Sequence, residues 1–320
     1  MKNKVNYYDD ELNDDFAEDN EKIKPIKIDE NYKYIHKNIF WNIIATILYR
    51  VVFSIPVYIH IKIKYKFKVI NKKALKAERK NGFFIYGNHT NEFLDPFFPT
   101  FVAFPKRVYV IANADNVSIP GLKIANRMLG ALPIPGNIKA SKNFFDAIKY
   151  YISKKKVIAI YPEAHVWPYY TKIRNYKSVS FKYPVELDKP VYSFTTTYQT
   201  QDSGTLKENQ EQDREISKEN QEQDNEKSKG SLEQNNEISK ANQKQDNEKS
   251  KGSQAQDNEK LKKSKPRIKI ITYIDGPFYP DKTLNKKEAQ EKLRNQVFEA
   301  MNNRSKNNNI ELIKYVKRGT

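Results

Sequence analysis

The chain has 320 residues, no cysteine, 38% hydrophobic and 30% charged side chains, and a formal net charge of +18 at pH 7. The missing cysteines exclude disulfides and thiolate metal sites, while the apolar content suffices for one large folded domain or two smaller ones. The charge is uneven: residues 1–30 carry net −5 and residues 201–265 net −2, so the remainder carries +25 and is expected to meet an anionic surface or substrate.

Residues 1–30 are acidic and lack apolar periodicity, which predicts a disordered tail; a secretory signal would begin basic and then turn apolar. Residues 31–70 form the next segment, dominated by "IFWNIIATILYRVVFSIPVYIHI" from Ile39 to Ile61. A bilayer span needs roughly 20 apolar residues, so the length is adequate. Asn42, Thr46, Arg50 and Ser54 recur every four positions, however, and on a helix they gather into one polar stripe. Arginine near the centre of a lone span costs about 2.5–3.5 kcal/mol, and a helix lying in the membrane interface avoids that cost. An interfacial helix therefore ranks first, a soluble core helix second and a true span third. Pro56 is expected to end or kink this helix, and the alternating "IHIKIKYKFKVI" that follows reads as a strand with one wet face.

Residues 71–200 alternate between strand and helix patterns. Strands are predicted at Phe83 to Tyr86, Arg107 to Ile111, Val157 to Tyr161 and Pro190 to Thr195, with helices near Ile119 to Leu129 and Ala140 to Ser153. Apolar runs separated by helical stretches predict an α/β fold, a mixed sheet flanked by helices. From Gln212 an eleven-residue unit ("QDNEKSKGSLE" and its variants) runs five times without an apolar stripe. Residues 201–265 are therefore expected to be a disordered insertion. The domain resumes over residues 266–320 with the strand "RIKIITYID" and a helix from Lys286 to Met301, capped by Asn285 and Glu288.

Chemistry is concentrated in "FFIYGNHTNEFLDPFFP", residues 83–99, where a buried-strand pattern stops at Gly87 and polar residues follow at once. A histidine at a strand end can take a proton from a hydroxyl near neutral pH if a carboxylate holds its other nitrogen. His89 and Asp95 could form that pair, with Glu92 as a substitute acid; alone, such a pair is more often a structural hydrogen bond. His165 reads equally as a ring bonded to loop backbone or as a catalytic group. Lys154, Lys155 and Lys156 read as a solvated helix end or as contacts to lipid headgroups. Tyr169 and Tyr170 read first as packing, and Trp41 and Trp167 suit an interface or a core.

"GNHTNEFLDPF" resembles the first motif of the phospholipid and glycerolipid acyltransferases, the 1-acylglycerol-3-phosphate acyltransferase-like family, in which Asn-His is followed by four residues and Asp. "AIYPEAHVWPYYTKIRNYKSVSFKYPVELDKPVYSF" resembles their downstream block, about seventy residues on and in the same order. The resemblance covers about residues 71–200 and continues after the insertion. Five residues rather than four separate His89 from Asp95, Glu163-Ala164-His165-Val166 stands in place of Glu-Gly-Thr-Arg, and the middle block "LGALPIPGN" lacks an arginine. These departures resemble a bacterial branch of the family.

The resemblance implies an O-acyltransferase in which His89 is general base and Asp95 its orienter. Glu163, Lys172 and Arg174 would serve the acceptor, with the two basic residues on its phosphate. It also implies a donor that is acyl-CoA, an acyl-carrier protein or an acyl phosphate, a lysophosphatidic acid-like acceptor, and no metal or other cofactor. With the cationic domain and the apolar segment, this places the protein monotopically or peripherally on the cytoplasmic face of an anionic membrane, with no nucleic acid expected. The rival reading is a non-catalytic basic protein that binds membrane or nucleic acid; acyl transfer by wild type but not by His89→Ala separates the two.

Overall fold

The computed structural model describes residues 4–17, 24–200 and 267–319. The central element is a seven-stranded sheet ordered β2-β8-β7-β3-β6-β4-β5. Its strands are β2 (Lys68–Ile70), β3 (Phe83–Gly87), β4 (Val108–Ala112), β5 (Ala131–Pro133), β6 (Val157–Ile160), β7 (Val191–Thr200) and β8 (Ile268–Phe278). Neighbours pair in parallel except β7 with β8, so the sheet is mixed, as the alternating pattern predicts.

β3 and β6 are fully buried because both faces are covered, which is why "FFIY" and "VIAI" are continuous apolar runs rather than alternating ones. Phe83 and Ile85 point to one core, shared with Phe98, Val102 and Phe194. Phe84 and Tyr86 point to the other, shared with Phe144, Ile148, Leu293 and Val297. The second core is covered by α4 (Ile138–Ser153) and α6 (Lys286–Ser305). Asn285 caps α6 as expected, its side chain accepting from Glu288 N at 3.0 Å. The remaining helices are α1 (Ile39–Tyr65), α2 (Phe98–Ala103), α3 (Lys123–Leu129) and α5 (Lys182–Leu187).

α1 differs from the sequence expectation in two ways. It is unbroken over 27 residues and runs through Pro56. A π-helical segment over Leu48–Ser54 precedes Pro56, and the proline sits in the first turn of the α-helix that resumes at Ile55, where its missing N–H costs little. The supposed strand "IHIKIKY" is the last part of this helix: Ile61 is buried while Ile59 and Ile63 face outward, and only Lys68–Ile70 pairs as a strand. Lys66 ends the helix in the left-handed conformation (φ 48°).

The acidic N-terminal segment is a second correction. Residues 4–17 are structured: β1 (Lys4–Tyr8) pairs in parallel with β9 (Ile313–Lys317). Its acids are tied into turns, with Asp14 accepting from the backbone N–H groups of Asp9 and Asp10. Tyr8 and Phe16 pack on Trp167 at ring distances of 4.7 and 5.2 Å, aromatic burial that a composition reading overlooks. The repeat insertion of residues 201–265 lies outside the described residues.

Candidate active site

β3 and β6 run side by side and in the same direction, with Tyr86 opposite Ile160, so the loops leaving their C-terminal ends meet. Gly87 lets this happen. A Cβ there would lie 2.2 Å from the Phe194 ring, so only glycine allows the strand end to close on β7. Asn88 then locks the exit: its amide accepts from Thr196 N at 2.8 Å and donates to Thr196 O at 2.9 Å.

The next residue is His89. Its Nδ1 lies 2.6 Å from Asp95 Oδ2, with the histidine side chain 20% exposed and the aspartate 1%. The five-residue spacing is accommodated by a helical turn begun at Asn91. Asn91 Oδ1 accepts from Leu94 N, Asn91 O accepts from Asp95 N at 2.8 Å, and Asn91 N donates to Asp95 Oδ2 at 2.9 Å. The extra residue is absorbed on the outside of this turn, where Phe93 is exposed. Burial raises the Asp95 carboxyl above its usual value; the His89 hydrogen bond and the amides of Asn91 and Thr90 act against it. With Nδ1–H donated to the carboxylate, Nε2 carries the lone pair.

Tyr161, which the sequence reading did not single out, completes the support. It follows β6, stacks on the His89 ring at 4.6 Å and donates its hydroxyl to Asp95 O. The parallel pairing of β3 and β6 is the signal that would have found it, because it sets the first residue beyond β6 beside the end of β3.

Glu163 and Arg174 join the same network in a different role from the one expected. Glu163 Oε2 accepts from His89 N at 3.2 Å, while its Oε1 accepts from Arg174 N and Oε2 from Arg174 Nη2, both at 3.2 Å. Both side chains are 0% exposed. Arg174 also donates to His165 O, and its guanidinium stacks on Trp167 at 4.9 Å. A fully buried arginine cannot reach an acceptor phosphate, so its assignment as a phosphate ligand is corrected: Arg174 neutralises Glu163, and Glu163 holds the backbone of His89. Burial raises the Glu163 carboxyl above its usual value, opposed first by the Arg174 charge. Lys172 is exposed on the same loop, outside this network.

His165 turns away to the N-terminal segment, its Nδ1 3.2 Å from Asp15 Oδ2. Asp15 Oδ1 also accepts from Val166 N, and Asp14 O accepts from the Trp167 indole. Trp167 N in turn donates to His89 O at 3.1 Å and Tyr169 N to Thr90 O at 2.8 Å, so the Pro-Glu loop grips the histidine from both sides of its peptide. No reading of the sequence placed residues 14–16 here.

A site of this form offers one partly exposed imidazole, a buried carboxylate fixing its tautomer, and a rigid backbone on either side. It can take a proton from a bound hydroxyl and return it to a leaving group. A family model for acyltransferases matches residues 66–195, which contain His89, Asp95, Tyr161, Glu163 and Arg174. No curated protein matches the sequence. Among solved structures, the chain is similar to the 1-acyl-sn-glycerophosphate (LPA) acyltransferase PlsC from Thermotoga maritima, at 15% identity over 73% of this chain and 71% of that one, with a TM-score of 0.34. Over residues 66–195 the chain is thus similar to the acyltransferases that this family model describes.

Proposed function

We propose that this protein is an acyltransferase that moves a fatty acyl group from an activated donor (acyl-CoA, an acyl-carrier protein or an acyl phosphate) to the hydroxyl of a lysophosphatidic acid-like glycerolipid at a membrane surface. The observation that carries this reading is the His89–Asp95 pair at 2.6 Å, its aspartate buried and its imidazole open to one side. His89 Nε2 removes the proton from the acceptor hydroxyl as its oxygen attacks the acyl carbon, and Asp95 stabilises the imidazolium. When the carbon–sulfur or carbon–oxygen bond of the donor breaks, the imidazolium returns the proton to the leaving group. Of the two basic residues expected at the acceptor phosphate, Lys172 alone is exposed and keeps that role in the proposal.

Membrane contact is supported by α1. Tyr49 on its inner face bonds Thr100 at 2.8 Å and Val108 N at 3.1 Å, and Ile61 is buried beside Phe67 and Phe101. Its outer face exposes Phe40, Ile43, Ile47, Val51, Ile55, Ile59 and Ile63, a continuous apolar stripe. A helix packed along one side and apolar along the other fits a monotopic position better than a crossing, and the proposal places it on the cytoplasmic face, where the donors are made.

Purified wild type should acylate a lysoglycerolipid, whereas His89→Ala and Asp95→Asn should each lose about 10²–10⁴-fold in kcat while keeping the circular dichroism of wild type. Wild-type turnover in a folded His89→Ala protein would overturn the mechanism and favour the non-catalytic basic protein.

A further inference from the structure

At the opposite ends of the same strands lies a cluster of cations that the acyl-transfer chemistry does not use. Arg50 reaches from α1 to donate to Pro105 O and stacks on Phe104 at 5.2 Å. Lys72 lies over the same ring at 5.5 Å and donates to Phe101 O at 2.9 Å. Lys106 donates to Asn81 O and Lys155 O, and Arg107 stacks on Tyr49 at 4.7 Å. Lys156, beginning the turn into β6, feels the positive charges of Arg107 and Arg50.

These five cations face no ion-pair partner among the described residues. Glu78, a buried acid, acts on Lys106 through its charge without a direct ion pair. Arg50 Nη1 and Arg107 Nε are buried without a hydrogen-bond acceptor. Burial first, and repulsion from neighbouring cations second, lower the pKa of Lys106 and Lys156, with the Glu78 charge opposing the shift at Lys106. In the midst of the cluster Phe104 is 58% exposed, and Ile47 and Val51 on α1, either side of Arg50 along the helix, are exposed as well. A ring between cations, continuous with an apolar helix face, has the character of a lipid interface: apolar groups enter the acyl layer while cations meet phosphates.

We propose that Arg50, Lys72, Lys106, Arg107 and Lys156 around Phe104 form a docking surface for the phosphate headgroups of anionic phospholipids in a bilayer. The inference rests on the membrane-surface reading above and gives it a second contact, roughly 15 Å from His89 along β3 and β6. A soluble anionic donor bound here would lie at the wrong ends of the strands for His89. A bilayer meets the cluster and α1 together, so the surface fixes the orientation in which α1 lies flat and the His89 end stays at the membrane edge.

The test is sedimentation of the full chain with vesicles of phosphatidylcholine alone and with phosphatidylglycerol added. Anionic lipid should raise wild-type binding. Lys106→Gln with Lys156→Gln should reduce that increment by about tenfold or more, since each basic residue at a charged surface contributes about 1 kcal/mol. Binding to phosphatidylcholine should be unchanged in this double variant, whereas Phe104→Ser should weaken binding to both vesicles. Should the double variant fail to fold, wild type in rising salt serves instead: the anionic increment should vanish and the phosphatidylcholine binding remain. An increment that survives both the substitutions and salt overturns the proposal. So does competition by inorganic phosphate at the lipid-phosphate concentration, which would make this a free-phosphate site. Loss of nucleic acid binding in the double variant, with vesicle binding intact, would assign the surface to a different partner. His89→Ala should sediment like wild type, so a failure of the catalytic reading appears in turnover and a failure of the docking surface in sedimentation.

Discussion

The loop from His89 to Asp95 and the loop from Glu163 to Arg174 meet at one point, yet they are built on opposite principles. The first is local: seven consecutive residues make a turn, cap it with Asn91 and close a hydrogen bond between its ends. The second depends on distant chain. Its arginine is sealed by Trp167, and Trp167 is covered by Tyr8, Phe16 and Tyr315, the last with its ring stacked at 4.9 Å. A cation that would be a ligand in an open loop becomes, under that cover, a structural counter-charge. Spacing within one loop therefore foretells a local histidine–carboxylate pair more safely than residue type foretells a phosphate ligand, because the latter depends on what stays uncovered.

Arg174→Met breaks the comparison most sharply. It strands the Glu163 charge in a dry site, and removing one partner of a buried pair costs about 3–5 kcal/mol. Thermal melting should show a large loss of stability, and adding Glu163→Gln should recover much of it. Any remaining activity should fall alike with phosphate-bearing and neutral acceptors; a selective rise in KM for the phosphate-bearing one would return Arg174 to the substrate. Gly87→Ala attacks the local loop instead. The added methyl meets the Phe194 ring, and overpacking of this kind costs about 1–3 kcal/mol. A melting temperature equal to wild type would mean that the strand end shifts freely.

Glu163→Gln gives a smaller effect, read through pH. The folded-state pKa of Glu163 lies above its unfolded value, so the native state holds more proton between the two. Its contribution to stability is present below the usual carboxylate pKa and is lost as pH rises through the raised one. The substitution should flatten the melting-temperature profile across that window. An unchanged slope would show that the Arg174 charge offsets burial completely. The smallest effect belongs to the insertion. Thr200 pairs with Ile268, so β7 and β8 are stitched together across it. Loop-closure entropy grows only logarithmically, and replacing residues 203–263 with a short Gly/Ser linker should change stability by no more than about 1.5 kcal/mol. Turnover should stay at the wild-type level, and a large drop in melting temperature would show that the repeat packs on the domain.

The same contrast explains what was legible in the sequence. β3, β4, β6, β7 and β8 announce themselves by apolar runs between turn residues, and α6 by its cap and periodicity, because these signals act over a few residues. Asp95 was readable for the same reason. The length of α1 was not: an alternating "IHIKIKY" satisfies a strand pattern, and only packing of Ile61 against Phe67 and Phe101 decides for helix. Nor was the fate of the acidic segment, since counts of charge do not reveal that Asp14 and Asp15 meet the amide and indole groups of a loop about 150 residues away.

The pairing of β1 with β9 has a consequence for biosynthesis. Lys4–Tyr8 is made about three hundred residues before its partner Ile313–Lys317. At about 5–20 residues per second, the first strand waits roughly 15–60 s on the ribosome before it can pair. Contacts so far apart in the chain also form slowly once both segments exist. The cover over Trp167 and Arg174 therefore closes after the sheet strands β3 to β7 have been made. Until Ile313–Lys317 has been made, the loop that grips the His89 peptide lacks this cover.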